Sequence, residues 1–141
     1  MCLSKVMTKE EFIKEYGKIP KYGYKIVCPL SGTDKYYSLY QGNCNNMAIG
    51  KTLYEEDFRN IGSSDYYFDN SIRSYRLGFH VYTNFEECKE NLNNFYDTVI
   101  IKVKPEKIVA YGCERVSDWY EETPVVICKT MTIVKEVDVL K

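Results

Sequence analysis

Histidine is almost missing from this chain of 141 residues, and its single copy, His80, excludes any metal site or relay built on several imidazoles. The short phrases of common catalytic machinery are missing too. There is no GxxxxGK[ST], GxGxxG, HExxH or CxxC, so P-loop hydrolysis, Rossmann-type dinucleotide binding and zinc peptidase chemistry have no textual support. Neither sign of charge dominates: 19 basic against 20 acidic residues leave a net charge of -1, and no basic patch stands out to attract nucleic acid or an acidic membrane. No apolar run approaches the length of a membrane span, and the opening MCLSKVMTKEEF lacks the apolar core of a signal peptide. A cytoplasmic, reducing setting is the expectation.

What the chain does have is cysteine and tyrosine. The 6 cysteines, at 2, 28, 44, 88, 113 and 128, are expected to be free thiols, because most sit in apolar periodic segments where a thiol serves as a small core residue. No two of them have the spacing of roughly two to four residues that metal knuckles use, so a zinc site from Cys2, Cys44, Cys113 and His80 is not expected, and no other metal or cofactor is read from the text. The 14 tyrosines suit either a sheet rich in aromatics or a recognition surface.

The length fits one domain over residues 1–141. Thr8 with Glu11 forms a capping box for a short helix carrying Phe12, Ile13 and Tyr16, stopped by Gly17. Tyr22 to Leu30 and Tyr36 to Tyr40 read as a hairpin about a Ser-Gly-Thr-Asp turn. A short extended piece follows at Thr52 to Tyr54. Phe79 to Tyr82 then makes a strand that runs into a second helix, capped by Asn84 and carrying the stripe Phe85, Cys88, Leu92 and Phe95. Val99, Ile100 and Ile101 mark a strand buried on both faces, Pro105 breaks it, Lys107 to Tyr111 is extended again, and Pro124 to Leu140 is one long strand region. In that region Val125, Ile127, Met131 and Ile133 are placed on a single face. The expected fold is α+β: a mostly antiparallel sheet of five to seven strands with two short helices.

Residues 55–74 have no clean period and read as a long loop, the kind of segment that is functional or mobile in a small domain. Three of the chain's four arginines, Arg59, Arg73 and Arg76, fall in or beside it, among Tyr66, Tyr67, Tyr75 and His80. Arginine's planar fork suits phosphate or carboxylate and aromatic faces stack, so these seven residues form the candidate surface for a partner or a small anionic ligand. The plain alternative is a set of solvated charges on an ordinary loop. His80 could also serve as base to a cysteine, although a lone histidine is more often a hydrogen-bonded structural residue, and no catalytic residue is assigned.

The opening MCL, the strand YKIV, the phrase IGKTLY, the segment GFHVYTNFEECKE and the closing CKTMTIVKEV occur in an order that resembles small uncharacterised bacteriophage and mobile-element proteins. That resemblance implies an accessory protein in the host cytoplasm that acts by binding: a counter-defence inhibitor of a host protein, or a sequesterer of a small nucleotide signal. A second similarity, carried by GFHVYTNFEECKE followed by VIIKVK, points to ADP-ribosyltransferase-type folds, which hold NAD between two small sheets. The strand YKIV offers Lys25 where those enzymes place arginine or histidine, and Glu114, Glu121 and Glu136 are the available glutamates.

Overall fold

A computed structural model describes residues 3–30, 32–38, 47–58, 66–69, 73–92, 97–114 and 122–137. The two longest elements, β9 (Val99–Glu114) and β10 (Thr123–Val137), pair antiparallel along almost their whole length and form the spine of the molecule. Two shorter strands, β2 (Gly23–Pro29) and β8 (Phe79–Tyr82), complete a closed circuit: β9 pairs β10, β10 pairs β8, β8 meets β2 at Tyr82 and Tyr24, and β2 returns to β9. Closure leaves these four strands no free edge against one another. It also forces β2 and β8 together at Gly23, where a Cβ would collide with the Val81 side chain and the Tyr82 carbonyl.

The remaining strands attach to this circuit. β1 (Lys5–Met7) adds to β9 and β3 (Lys35–Ser38) makes the expected hairpin with β2. Next come β4 (Met47–Ala48), paired with β3, and β5 (Thr52–Tyr54), paired with β10. A separate two-stranded hairpin joins β6 (Tyr66–Phe68) to β7 (Ser74–Arg76). The two helices are α1 (Lys9–Tyr16) and α2 (Phe85–Leu92), and the α+β class with an antiparallel sheet stands. The strand count does not: ten strands occur among the described residues, against five to seven expected. The extra ones are two to three residues long, too short to show a period, and are defined only by the strands they pair with.

Pro105 does not end the strand either. Between Val103, where β2 stops pairing, and Tyr111, where β1 begins, β9 has no second neighbour among the described residues, and a proline there loses no ladder bond on that side. Both helix starts follow the text. Thr8 and Glu11 exchange capping-box hydrogen bonds at 3.1 and 3.0 Å, Gly17 closes α1 at φ 88°, and Asn84 Oδ1 accepts from the Glu87 amide at 3.1 Å.

Two buried clusters flank the sheet. The larger holds Phe12, Phe79, Val81, Ile101, Val126 and Met131, and the second holds Ile26, Tyr75, Tyr82, Cys88, Val125 and Ile127. Val125 and Ile127 therefore part company with Met131 and Ile133, against the single face expected of them. β10 keeps its alternation through the register shift at Ile127 and Cys128, since Val126 and Cys128 share the larger cluster, and loses it between Cys128 and Met131, opposite the stretch of β9 where Lys107 takes a positive φ. Cys28, Cys88, Cys113 and Cys128 are buried free thiols.

Candidate functional site

The irregular stretch that breaks the core alternation also shapes the surface. Cys128 lies opposite Ile108 and Thr130 opposite Glu106, so Lys107 and Lys129 fall between those two pairs on the adjoining strands. Lys107 adopts φ 54°, a left-handed conformation that a side chain other than glycine occupies at a cost and that gathers at functional positions. Like charges facing each other across a ladder repel, so something must offset them. Glu55 does so for Lys129: the carboxylate is buried and accepts from Lys129 Nζ at 3.2 Å.

Around this pair opens a cleft of about 320 Å³. Its walls add Arg76 from β7, Tyr54 from the end of β5, Glu56 from the 3-10 turn Glu55–Phe58, and Thr130. Arg76 and Lys107 make no ion pair or hydrogen bond among the described residues, so two cations face the cleft with their charge uncommitted. Tyr54 is 46% exposed, and Tyr66, 49% exposed, pairs directly with Arg76 across the β6–β7 hairpin, which puts both side chains on the same side of it.

The seven residues singled out from sequence separate. Arg76 lines the cleft and Tyr66 stands beside it. Arg73 turns to the N-terminal side, where its Nη1 donates to the Val6 carbonyl at 3.2 Å and lies 3.9 Å from Glu11. Asp69 completes that tie by accepting from the Val6 and Arg73 amides at 2.9 and 2.7 Å. Tyr67 is exposed and packs edge-on to Tyr75 at 6.0 Å. Tyr75 itself points inward, its hydroxyl accepting from the Leu3 amide at 2.9 Å. Arg59 lies outside the described residues, as do Glu121, Cys2 and Cys44. The aperiodic stretch 55–74 holds, where described, the 3-10 turn and strand β6.

His80 belongs to a second polar group, inside the fold. Its Nε2 stands 3.9 Å from Glu114 Oε1, and neither that nitrogen nor either carboxyl oxygen closes a hydrogen bond among the described residues. Lys25 donates to the His80 carbonyl at 3.1 Å. Burial pushes the Glu114 carboxyl up to about 7, against the Tyr82 hydroxyl and the Lys25 charge, which both favour ionisation. Burial, helped by Lys25, holds His80 down at about 3. A neutral imidazole thus faces a carboxyl group that keeps its proton to near neutral pH. With Glu114 only 1% exposed, this pair does not meet ligands arriving from solvent.

Lys107, Lys129, Glu55, Glu56 and Tyr54 were not among the residues singled out from sequence. One signal was legible: Lys129 is the only charge in the run PVVICKTMTIV, and a charge inside a buried strand needs a partner. The positive φ of Lys107 and the approach of Glu55 had none.

No protein-family model, curated protein or solved structure matches the chain. The fold and the cleft define an antiparallel α+β protein with a solvent-open site of mixed charge. Among the described residues no helix is long and apolar enough to cross a membrane.

Proposed function

We propose that this protein works by binding, and that the cleft between β5, β7 and the β9–β10 bulge receives a small anionic ligand. The observation behind this reading is the convergence of Arg76, Lys107 and Lys129 in one open cavity, two of them with no anionic partner among the described residues. Three cations gathered without full compensation raise one another's free energy, and an anion relieves it. The lining contains no histidine or cysteine, and one of its two carboxylates, Glu55, is engaged by Lys129. That fits the role implied by the bacteriophage resemblance, a counter-defence protein that sequesters a small nucleotide signal. Inhibition of a host protein is the neighbouring reading, with the exposed rings of Tyr66, Tyr67 and Phe68 as its surface.

An ADP-ribosyltransferase-like enzyme has less behind it. Lys25 and Glu114 do come together, but in the interior, and Glu136 accepts from the Tyr36 hydroxyl at 2.9 Å on another part of the sheet.

Calorimetric titration with inorganic pyrophosphate at low ionic strength tests the reading. Binding is expected for the wild type, weakening with added salt, and disappearing in the Arg76→Ala, Lys107→Gly double variant, whose glycine accepts the positive φ without strain. Equal heats from wild type and variant would remove the cleft from consideration. A host protein captured in stoichiometric amount by both would place function on the aromatic hairpin.

A further inference from the structure

The cleft is not built for a bare anion. Glu56 lines it beside the cations and makes no ion pair among the described residues, while Glu55 is already engaged by Lys129. A carboxylate at the mouth of an anion site repels phosphate alone, so it belongs with a ligand that also carries hydrogen-bond donors. The walls add a third chemistry. Tyr54 lines the cleft with nearly half its surface open, and Tyr66 stands beside Arg76 with a similar exposure, giving flat aromatic faces next to the cations. Anionic oxygens for Arg76 and Lys107, a hydroxyl donor for Glu56 and a planar ring for the tyrosines are together the parts of a ribonucleotide. Acidic side chains accept from ribose hydroxyls in other nucleotide sites for the same reason.

Size narrows the class. A cavity of about 320 Å³ is at the low end of the roughly 300–1,000 Å³ that ligand pockets span. It has room for one nucleotide and little for a second.

From these observations we infer that the cleft takes a single ribonucleoside 5′-phosphate: phosphate on Arg76 and Lys107, a ribose hydroxyl on Glu56, and the base against Tyr54. The inference rests on the anion-binding reading above and sharpens it. The phosphate end supplies charge, the sugar supplies the donor that makes Glu56 useful, and the ring supplies apolar contact.

The test is a titration panel on the full chain: inorganic phosphate, ribose 5-phosphate, the four ribonucleoside monophosphates, the matching 2′-deoxy compounds, and NAD. At least one ribonucleotide should bind about tenfold or more tighter than ribose 5-phosphate, which in turn exceeds inorganic phosphate. Its deoxy counterpart should bind several-fold more weakly. Glu56→Gln should narrow that ribose preference while leaving phosphate affinity the same or stronger, and Tyr54→Ala should bring nucleotide affinity down to that of ribose 5-phosphate. Melting temperatures of both variants, each changed at an exposed position, check that the fold is kept. If inorganic phosphate binds as tightly as every nucleotide, the nucleotide inference falls while anion binding stands. Binding of nothing in the panel, with pyrophosphate also silent, removes both. NAD binding tenfold tighter than any mononucleotide overturns the size argument.

Discussion

Two acid–base pairs sit on the same sheet and behave in opposite ways. Lys129 and Glu55 meet at 3.2 Å at the cleft, close enough for a charge-assisted hydrogen bond, with the lysine partly in contact with water. His80 and Glu114 stop at 3.9 Å in the interior and make no bond among the described residues. The difference lies in where the charge can be solvated. At the cleft the lysine keeps contact with water and stands within hydrogen-bond distance of the carboxylate. In the core, removing ions from water costs more than their attraction returns, so the pair settles as neutral base and neutral acid. Only the first pair leaves charged neighbours able to greet a ligand, so the open cleft is the functional candidate and the buried pair belongs to the stability of the fold.

Titration separates the two most strongly. The Glu114 carboxyl rises from 4.5 to about 7 on folding, so the folded state keeps its proton longer than the unfolded chain does. Its contribution to stability is complete below the unfolded value and is lost as pH rises through the folded one. His80, lowered from 6.5 to about 3, works the other way: its contribution is complete above the unfolded value and is lost as pH falls through the folded one. Replacing Glu114 by Gln removes the first dependence alone. At about pH 8 the variant should be more stable than wild type by as much as about 3 kcal/mol, the worth of such a shift, and near pH 4.5 the two should converge. Urea unfolding at both pH values reads this directly. A difference that does not change with pH would mean that folding leaves the Glu114 carboxyl unshifted.

The cleft pair should show a smaller response. Glu55→Gln leaves Lys129 without its anion, but the lysine can take up water, so a loss of about 1.5–2 kcal/mol is expected, the low end for a hydrogen bond to a charged group. The same change takes a negative charge out of the cleft and should tighten pyrophosphate binding. Weaker binding would assign Glu55 to the ligand instead of to Lys129.

Much of the frame was legible because it is written in short-range chemistry. Thr8 with Glu11, Asn84, Gly17 and the Ser-Gly-Thr-Asp turn each act on their own few residues, and the run Val99, Ile100, Ile101 announces a strand with neighbours on both sides. Strands of two or three residues carry no period of their own, which is why β1, β4, β6 and β7, defined only by their pairing, were not seen. The site was legible in part for the same reason. Arg76 stood out as one of few arginines beside aromatics, whereas Lys107 and Glu55 reach it only through a bulge and a ladder that join residues far apart in sequence. On α2, Asn91 is buried, its amide 3.5 Å from the Thr123 hydroxyl on a strand distant in sequence.

The two arginines flanking Ser74 and Tyr75 carry the comparison between structural and functional charge to its finest scale. Three residues apart on an extended chain, they leave opposite faces of the strand. Arg73 donates to the Val6 carbonyl and sits at the edge of ion-pair distance from Glu11, with both side chains about half exposed. Arg76 opens into the cleft. Arg73→Ala should therefore lower stability by about 0.5–1 kcal/mol, the worth of a partly exposed hydrogen bond, and leave pyrophosphate affinity unchanged. Arg76→Ala should hold stability within about 0.5 kcal/mol of wild type while weakening affinity about tenfold or more, because the lost fork faced only the ligand. Measured together, melting and titration split the pair. If instead Arg73→Ala loses the ligand and Arg76→Ala keeps it, the binding face lies on the N-terminal side of the hairpin, beside β1 and α1.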